Sequence, residues 1–343
     1  MKRIAVVPDN IGTDSESSWQ EHVSSIISGY IDASNLQNQY SVTEYQDLTE
    51  LQTEILNKKF NNGDKVIFTN AWAGQVAFVR HWAETAGLKL EYIGMWNRAS
   101  YLDEDLEYKS RFKRGKSVNR GWRNIHEYSI HRALTKNLFM KQSHKDKFQL
   151  EISRSSRKSE RNKFHCCGFP LEYLEVELSG YPDTYYKQRH IFFPYSEYSS
   201  FQERVLYDML RTLPDIQILF SRDRSALTRH QKLSFLTKSK VAYLPYSSPN
   251  IGKEIYECTL LDTIPFVPDF KEFRDMVPDE FRYPIEWTKN IMAYSRYGTE
   301  FIARIEDLVD NYDLYLPLLQ ETRSELQKNY YNSESFIKQI FDN

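Results

Sequence analysis

The chain has little cysteine: three in 343 residues, Cys166, Cys167 and Cys258. That excludes a disulfide framework. No Cys/His spacing matches a structural zinc site, and the adjacent pair lies in an apolar, strand-like run that reads as core packing. An excess of one charge is missing too. With 45 Lys and Arg against 47 Asp and Glu the net charge is -2, so the global field gives no argument for a polyanionic partner, although a local basic surface would still steer one. No apolar run approaches a membrane span, and MKRIAVVPDN has too short an apolar stretch for a signal peptide. The expectation is a cytoplasmic protein that stays off the membrane. Glycine is sparse where a dinucleotide fingerprint would need it. Gly12 stands alone in the first loop, which is too little for that motif.

What is present is length and aromatic surface. A chain of this size suits two domains, each with a full core. Aromatic residues make up 15%, with 24 Tyr and 20 Phe, a supply suited to stacking on bases or sugar rings.

The second half is organised around residues 240–269. An apolar strand (Val241, Ala242, Tyr243, Leu244) leads into a loop with Pro245, Ser247, Ser248, Pro249 and Gly252. A helix over 253–260 and a strand with Ile264, Phe266 and Val267 follow. This order is the βαβ unit of a parallel sheet, and such sheets hold ligands where loops leave the strands' carboxyl ends. Glu254 and Glu257 lie one turn apart on the helix, so both carboxylates share a face.

Earlier in the chain, strands are expected at 4–7, 40–45, 65–69 and 90–95, separated by helices at 15–30, 48–60 and 72–82, which is a doubly wound domain. Asp9 follows the first strand and Asp105 lies in the loop after the fourth, both at carboxyl ends. Residues 109–123 interleave Arg111, Lys113, Arg114, Lys116, Arg120 and Arg123 with Phe112 and Trp122, the mixture that a groove for a phosphate backbone needs. A long helix is expected over 124–150, and a second basic stretch over 153–163 carries Arg154, Arg157 and Lys158. His126 and His131 lack metal-binding register, and no cluster calls for a metal. After a strand at 164–167 and a linker at 178–188, a second domain is expected to open with a strand at 189–193. It continues with a helix at 201–213, a strand at 216–220 and a helix at 231–240. A helical tail spans 299–341.

The stretch IGKEIYECTLLDTIPFVPD, with GFPLEYLE and YPIEWT, resembles the donor-sugar signature and flanking segments of two-domain nucleotide-sugar glycosyltransferases. It looks most like the DNA-modifying enzymes of tailed phages. That resemblance implies an α/β GT-B fold with two Rossmann-like domains facing a central cleft. The acceptor domain would cover 1–178 and the donor domain 189–298, with helices 299–343 crossing back to the first. It implies retaining transfer of glucose, arabinose or a similar sugar from a UDP-sugar to a hydroxymethylated pyrimidine in duplex DNA, in the host cytoplasm if the chain is phage-encoded. Magnesium on the diphosphate and the choice of monomer or homodimer stay open. On this reading Glu257 meets the ribose and Lys253 the phosphates, helped by Ile251, Gly252, Glu254, Ser196 and Arg222, while Asp105 or Asp9 serves the acceptor side. The two basic stretches would hold DNA. Two departures stand out: Pro249 replaces the carboxylate usual eight residues before Glu257, and Tyr195, Ser196, Glu197 and Tyr198 occupy the loop where relatives carry an Arg and a Lys. Alternatives are a polysaccharide, lipid-linked or small acceptor, or a catalytically silent binding protein.

Overall fold

A computed structural model describes residues 1–8, 22–71, 75–96, 129–153, 163–181, 186–194, 200–220, 227–245 and 252–342. By contacts the chain forms two compact units. The first comprises 1–171 and 330–343, and the second 172–329. Helices at 291–329 therefore count with the second unit, and only the last segment with the first.

In the first unit β1 (Lys2–Val7), α1 (Val23–Ala33), β2 (Tyr40–Glu44), α2 (Leu48–Leu56), β3 (Lys65–Phe68), α3 (Gln75–Thr85) and β4 (Glu91–Trp96) alternate as the apolar periodicity predicts. β5 (Lys136–Phe139), α4 (Gln142–Ser153) and β6 (Phe164–Cys166) complete it. Six strands, all parallel, stand in the order β2-β1-β3-β4-β5-β6. β1 and β3 bury Ile4, Val6, Val66 and Phe68 completely, the near-continuous apolar runs of a sheet covered on both faces. Asp47 starts α2 by accepting the Thr49 N–H at 2.7 Å, which satisfies one of the helix's orphan donors. At Gly94 in β4 a Cβ would collide with the Leu134 side chain, so only glycine admits that leucine against the strand.

The helix expected over 124–150 is not continuous. β5 lies inside it, between a helical stretch at 129–133 and α4. Leu134 and Leu138 fit a helical period, but β5 pairs with both β4 and β6. That ladder overrides local preference.

The second unit opens with α5 (Tyr173–Ser179), β7 (Gln188–Phe192), α6 (Ser200–Thr212) and β8 (Gln217–Leu219). It continues with α7 (Arg229–Lys238), β9 (Ser239–Tyr243), α8 (Lys253–Leu260), β10 (Ile264–Pro268) and β11 (Arg282–Tyr283). The strands are again parallel, in the order β11-β10-β9-β7-β8. α9 (Ile291–Asp310) and α10 (Tyr312–Asn329) pack in this unit, with Phe301, Ile305 and Leu308 fully buried. Phe301 meets Tyr243 and Tyr283 edge-on at 5.3 Å. One tight turn forms at Lys271–Phe273. α11 (Glu334–Phe341) returns to the first unit, where Lys136 donates to the Gln339 and Asp342 carbonyls at 2.9 and 2.6 Å.

In each sheet the first strand is flanked on one side by the second and on the other by the third. The strand order therefore reverses direction between β1 and β3, and between β7 and β9. Such switch points open a crevice outside the carboxyl ends of the strands, where these folds take ligands.

Candidate functional site

At the carboxyl edge of the second sheet two helices begin: α7 after β8, and α8 after β9. Thr228 caps α7 with a full capping box, its hydroxyl accepting the Gln231 N–H while the Gln231 side chain accepts the Thr228 N–H. The pattern Thr-x-x-Gln is readable in the sequence. It moves the helix start to Arg229, ahead of the expected 231, and places Arg229 and Lys232 three apart on one face. α8 begins at Gly252, whose φ of 69° is left-handed and offers no side-chain cap. Glycine takes that conformation without the strain a side chain would bring.

Glu257 is the centre of the arrangement. It is fully buried, not an exposed helix carboxylate. Arg229 Nη1 approaches Oε1 at 2.5 Å, Lys232 Nζ approaches Oε2 at 2.9 Å, and Lys253 Nζ stands 3.8 Å from Oε1. Arg229 also grips Glu177 of α5 with two parallel bonds of 2.9 and 2.8 Å, the fork geometry that guanidinium offers a carboxylate. Glu254 stands 3.9 Å from Lys232 with 35% of its side chain exposed. Burial alone would raise the Glu257 pKa, yet Lys232, Arg229 and Lys253 together hold it at about 2, against an ordinary 4.5. Burial pushes the Lys253 ammonium down, assisted by Arg229 and Lys232 and opposed by Glu257 and Glu254. For Lys232 the pull of Glu257 and Glu254 overcomes burial, and its pKa rises. Glu257 is therefore an anion that gathers three cations beside a helix N-terminus, itself a region of positive potential.

Of the residues expected from the sequence, the structure brings Gly252, Lys253, Glu254 and Glu257 together on α8. Asp9, Asp105, Ser196, Arg222 and Ile251 lie outside the described residues. So do Arg111, Lys113, Arg114, Lys116, Arg120, Trp122, Arg123, Arg154, Arg157 and Lys158. Arg229, Lys232 and Glu177 are the additions that sequence reasoning missed. Among the described residues no group of three His, Cys, Asp or Glu side chains could hold a metal ion, and no helix is long and apolar enough to cross a membrane.

No protein-family profile matches the sequence, and no curated protein matches it. Solved structures do. Sucrose-phosphate synthase from Thermosynechococcus elongatus superposes with a TM-score of 0.61 at 10% identity, over 99% of this chain and 97% of that one. The pneumococcal O-GlcNAc transferase GtfA, in complex with UDP and GlcNAc, gives 0.56 at 9%, over 85% and 60%. An α,α-trehalose-phosphate synthase (UDP-forming) from Burkholderia vietnamiensis gives 0.50 at 9%, over 96% and 99%. At such identity the likeness is one of fold, namely two Rossmann-like α/β domains with parallel sheets, as in GT-B proteins. The expected fold class is met.

Proposed function

We propose that the chain is a nucleotide-sugar-dependent glycosyltransferase whose donor diphosphate is held by Lys253, Lys232 and the start of α8. The observation that carries this reading is the buried Glu257 with its three cations at the carboxyl edge of the second sheet, beside the switch point. Buried charge costs stability unless it is paired, and a cluster kept at a ligand-binding edge is a candidate functional site. The O-GlcNAc transferase GtfA was solved in complex with UDP and GlcNAc, and the trehalose-phosphate synthase is UDP-forming, which supports a UDP-sugar donor.

In the transfer, the acceptor hydroxyl oxygen bonds to the anomeric carbon as the bond from that carbon to the diphosphate oxygen breaks. The electron pair leaves with the phosphate, so negative charge grows there, and fixed cations stabilise it without reorganising. Lys232 and Lys253 keep 23% and 16% of their side chains exposed, enough to offer N–H donors to a phosphate. The expectation that Glu257 meets the ribose gives way, because its carboxylate has no exposed surface; Glu257 takes a positioning role and fixes both ammonium groups. Glu254, more exposed and one turn nearer the helix start, is the carboxylate assigned to the ribose hydroxyls.

For the acceptor, the proposal is a hydroxymethylated pyrimidine in duplex DNA. It rests on the sequence resemblance and on the basic, aromatic run at 109–123. The test is transfer of radiolabelled sugar from a panel of UDP-sugars to duplexes containing hydroxymethylcytosine, hydroxymethyluracil or unmodified bases. Label confined to hydroxymethylated duplex is the expected result. Donor hydrolysis without label in any duplex would overturn the DNA acceptor and leave the transferase standing. No binding or turnover of any UDP-sugar would overturn both.

A further inference from the structure

At the opposite, amino-terminal edge of the second sheet lies a cavity of about 280 Å³, lined by Tyr181, Lys187, Thr237, Lys240, Asp262 and Tyr312 among others. Lys187 stands one residue before β7, Lys240 is the second residue of β9, and Asp262 precedes β10. Two lysines line this cavity, and neither ammonium group has a carboxylate within ion-pair distance among the described residues. Lys187 Nζ donates to the Leu236 carbonyl at 2.9 Å and the Thr263 hydroxyl at 2.7 Å. Lys240 Nζ donates to the Val309 carbonyl at 3.2 Å and lies 5.3 Å from the centre of the Tyr312 ring.

Neutral oxygens and a ring face compensate a buried ammonium poorly. Burial pushes the Lys187 pKa down to about 7, against the smaller opposing pull of Cys258 and Asp262. An anion in the cavity would supply the missing partner. The lining is not simply cationic, however. Asp262 and Asp313 also face it, and the Asp262 carboxylate is met by Arg323 at 3.3 Å. Carboxylates accept hydrogen bonds and donate none, so they disfavour a bare anion and favour one that brings hydroxyl groups. Tyr181 adds an aromatic wall suited to the C–H face of a sugar ring. The volume is at or below the small end of ligand pockets, about 300–1,000 Å³, too small for a whole nucleotide sugar.

We propose that this cavity is a second ligand site that binds a small sugar phosphate, its phosphate met by Lys187 and Lys240 and its hydroxyls by Asp262 and Asp313. Nothing in this proposal depends on the transferase reading, because the site lies on the other edge of the sheet and its occupancy is measured without donor.

The test uses the intact wild-type chain. Lysines are acetylated with limiting acetic anhydride near neutral pH, and the Lys187 peptide is quantified by mass spectrometry with glucose 6-phosphate, inorganic phosphate or glucose present. Protection of Lys187 by glucose 6-phosphate, less by phosphate and none by glucose is expected. Equal protection by phosphate would overturn the sugar assignment, and no protection by any of them would overturn the site. Calorimetric affinity for glucose 6-phosphate should fall about tenfold to a hundredfold in Lys187→Met and in Lys240→Met, the loss expected for one charge-assisted hydrogen bond. Unchanged affinity in both folded variants would contradict the proposal. If Lys187→Met fails to fold, Lys240→Met and the wild-type protection pattern still decide it.

Discussion

The two sheets are wound alike but bury different chemistry beside their strands. In the first unit Trp96 ends β4 and stacks on Phe139 at 6.2 Å, with Phe148 at 5.0 Å. Its indole N–H donates to Asn137 Oδ1 at 2.8 Å, and the Asn137 amide donates to the His131 carbonyl at 3.3 Å. Burial pushes His131 down to about 4, with Arg132 and Lys163 adding to the shift, so the whole group is neutral near pH 7. The second unit instead buries an ionised carboxylate with three cations. A neutral network in which Trp96 and Asn137 bond one another helps specify a core. A charged one costs desolvation that an apolar core of the same shape would avoid, and it persists where charge is used.

The largest expected difference between the units follows from Glu257→Gln. It strips the buried counter-charge from Arg229, Lys232 and Lys253, and the expected cost is about 3–5 kcal/mol, read as a lowered urea midpoint. A loss near zero would mean that the cluster is solvated and the contrast false.

Acid separates the units next. His131 has a folded pKa of about 4 against an ordinary 6.5, so the unfolded chain binds the extra proton. The corresponding stability is present above pH 6.5 and is lost as pH falls towards 4, by about 3 kcal/mol in all. Glu257, also depressed, contributes stability present above about 4.5 and lost only as pH falls towards 2. Hydrogen exchange followed through acid should therefore show a step in the first unit as pH falls from 6.5 towards 4. In His131→Phe the upper step should vanish. Persistence of that step would assign it elsewhere.

A smaller effect sharpens the neutral side. Trp96→Phe keeps the stacking but orphans Asn137 Oδ1, and should cost about 1–3 kcal/mol. The double variant Trp96→Phe with Asn137→Leu should cost less than the two single changes added together.

Much of this contrast is written in the sequence, and some of it is not. Strand-helix alternation over 1–96 and the βαβ unit at 240–269 are legible because apolar runs and turn residues agree there. β5 is hidden because Asn137 is polar and Leu134 and Leu138 fit a helical period, and only pairing on both sides makes it a strand. In the site, Glu257 is visible on the helix after the donor loop, but its burial is not. Depth depends on α5 and α7 packing around α8, contacts distant in sequence. Arg229 and Lys232 lie in a stretch that reads as polar surface unless the Thr228 to Gln231 cap is noticed.

The most direct measurement is calorimetric binding of UDP to the wild-type chain and to Lys253→Met and Lys232→Met. Wild-type binding that weakens about tenfold or more in each variant, with the fold retained by circular dichroism, is the expected result. UDP binding that is equally tight in all three proteins would contradict a diphosphate site at this cluster, as would no binding to the wild type.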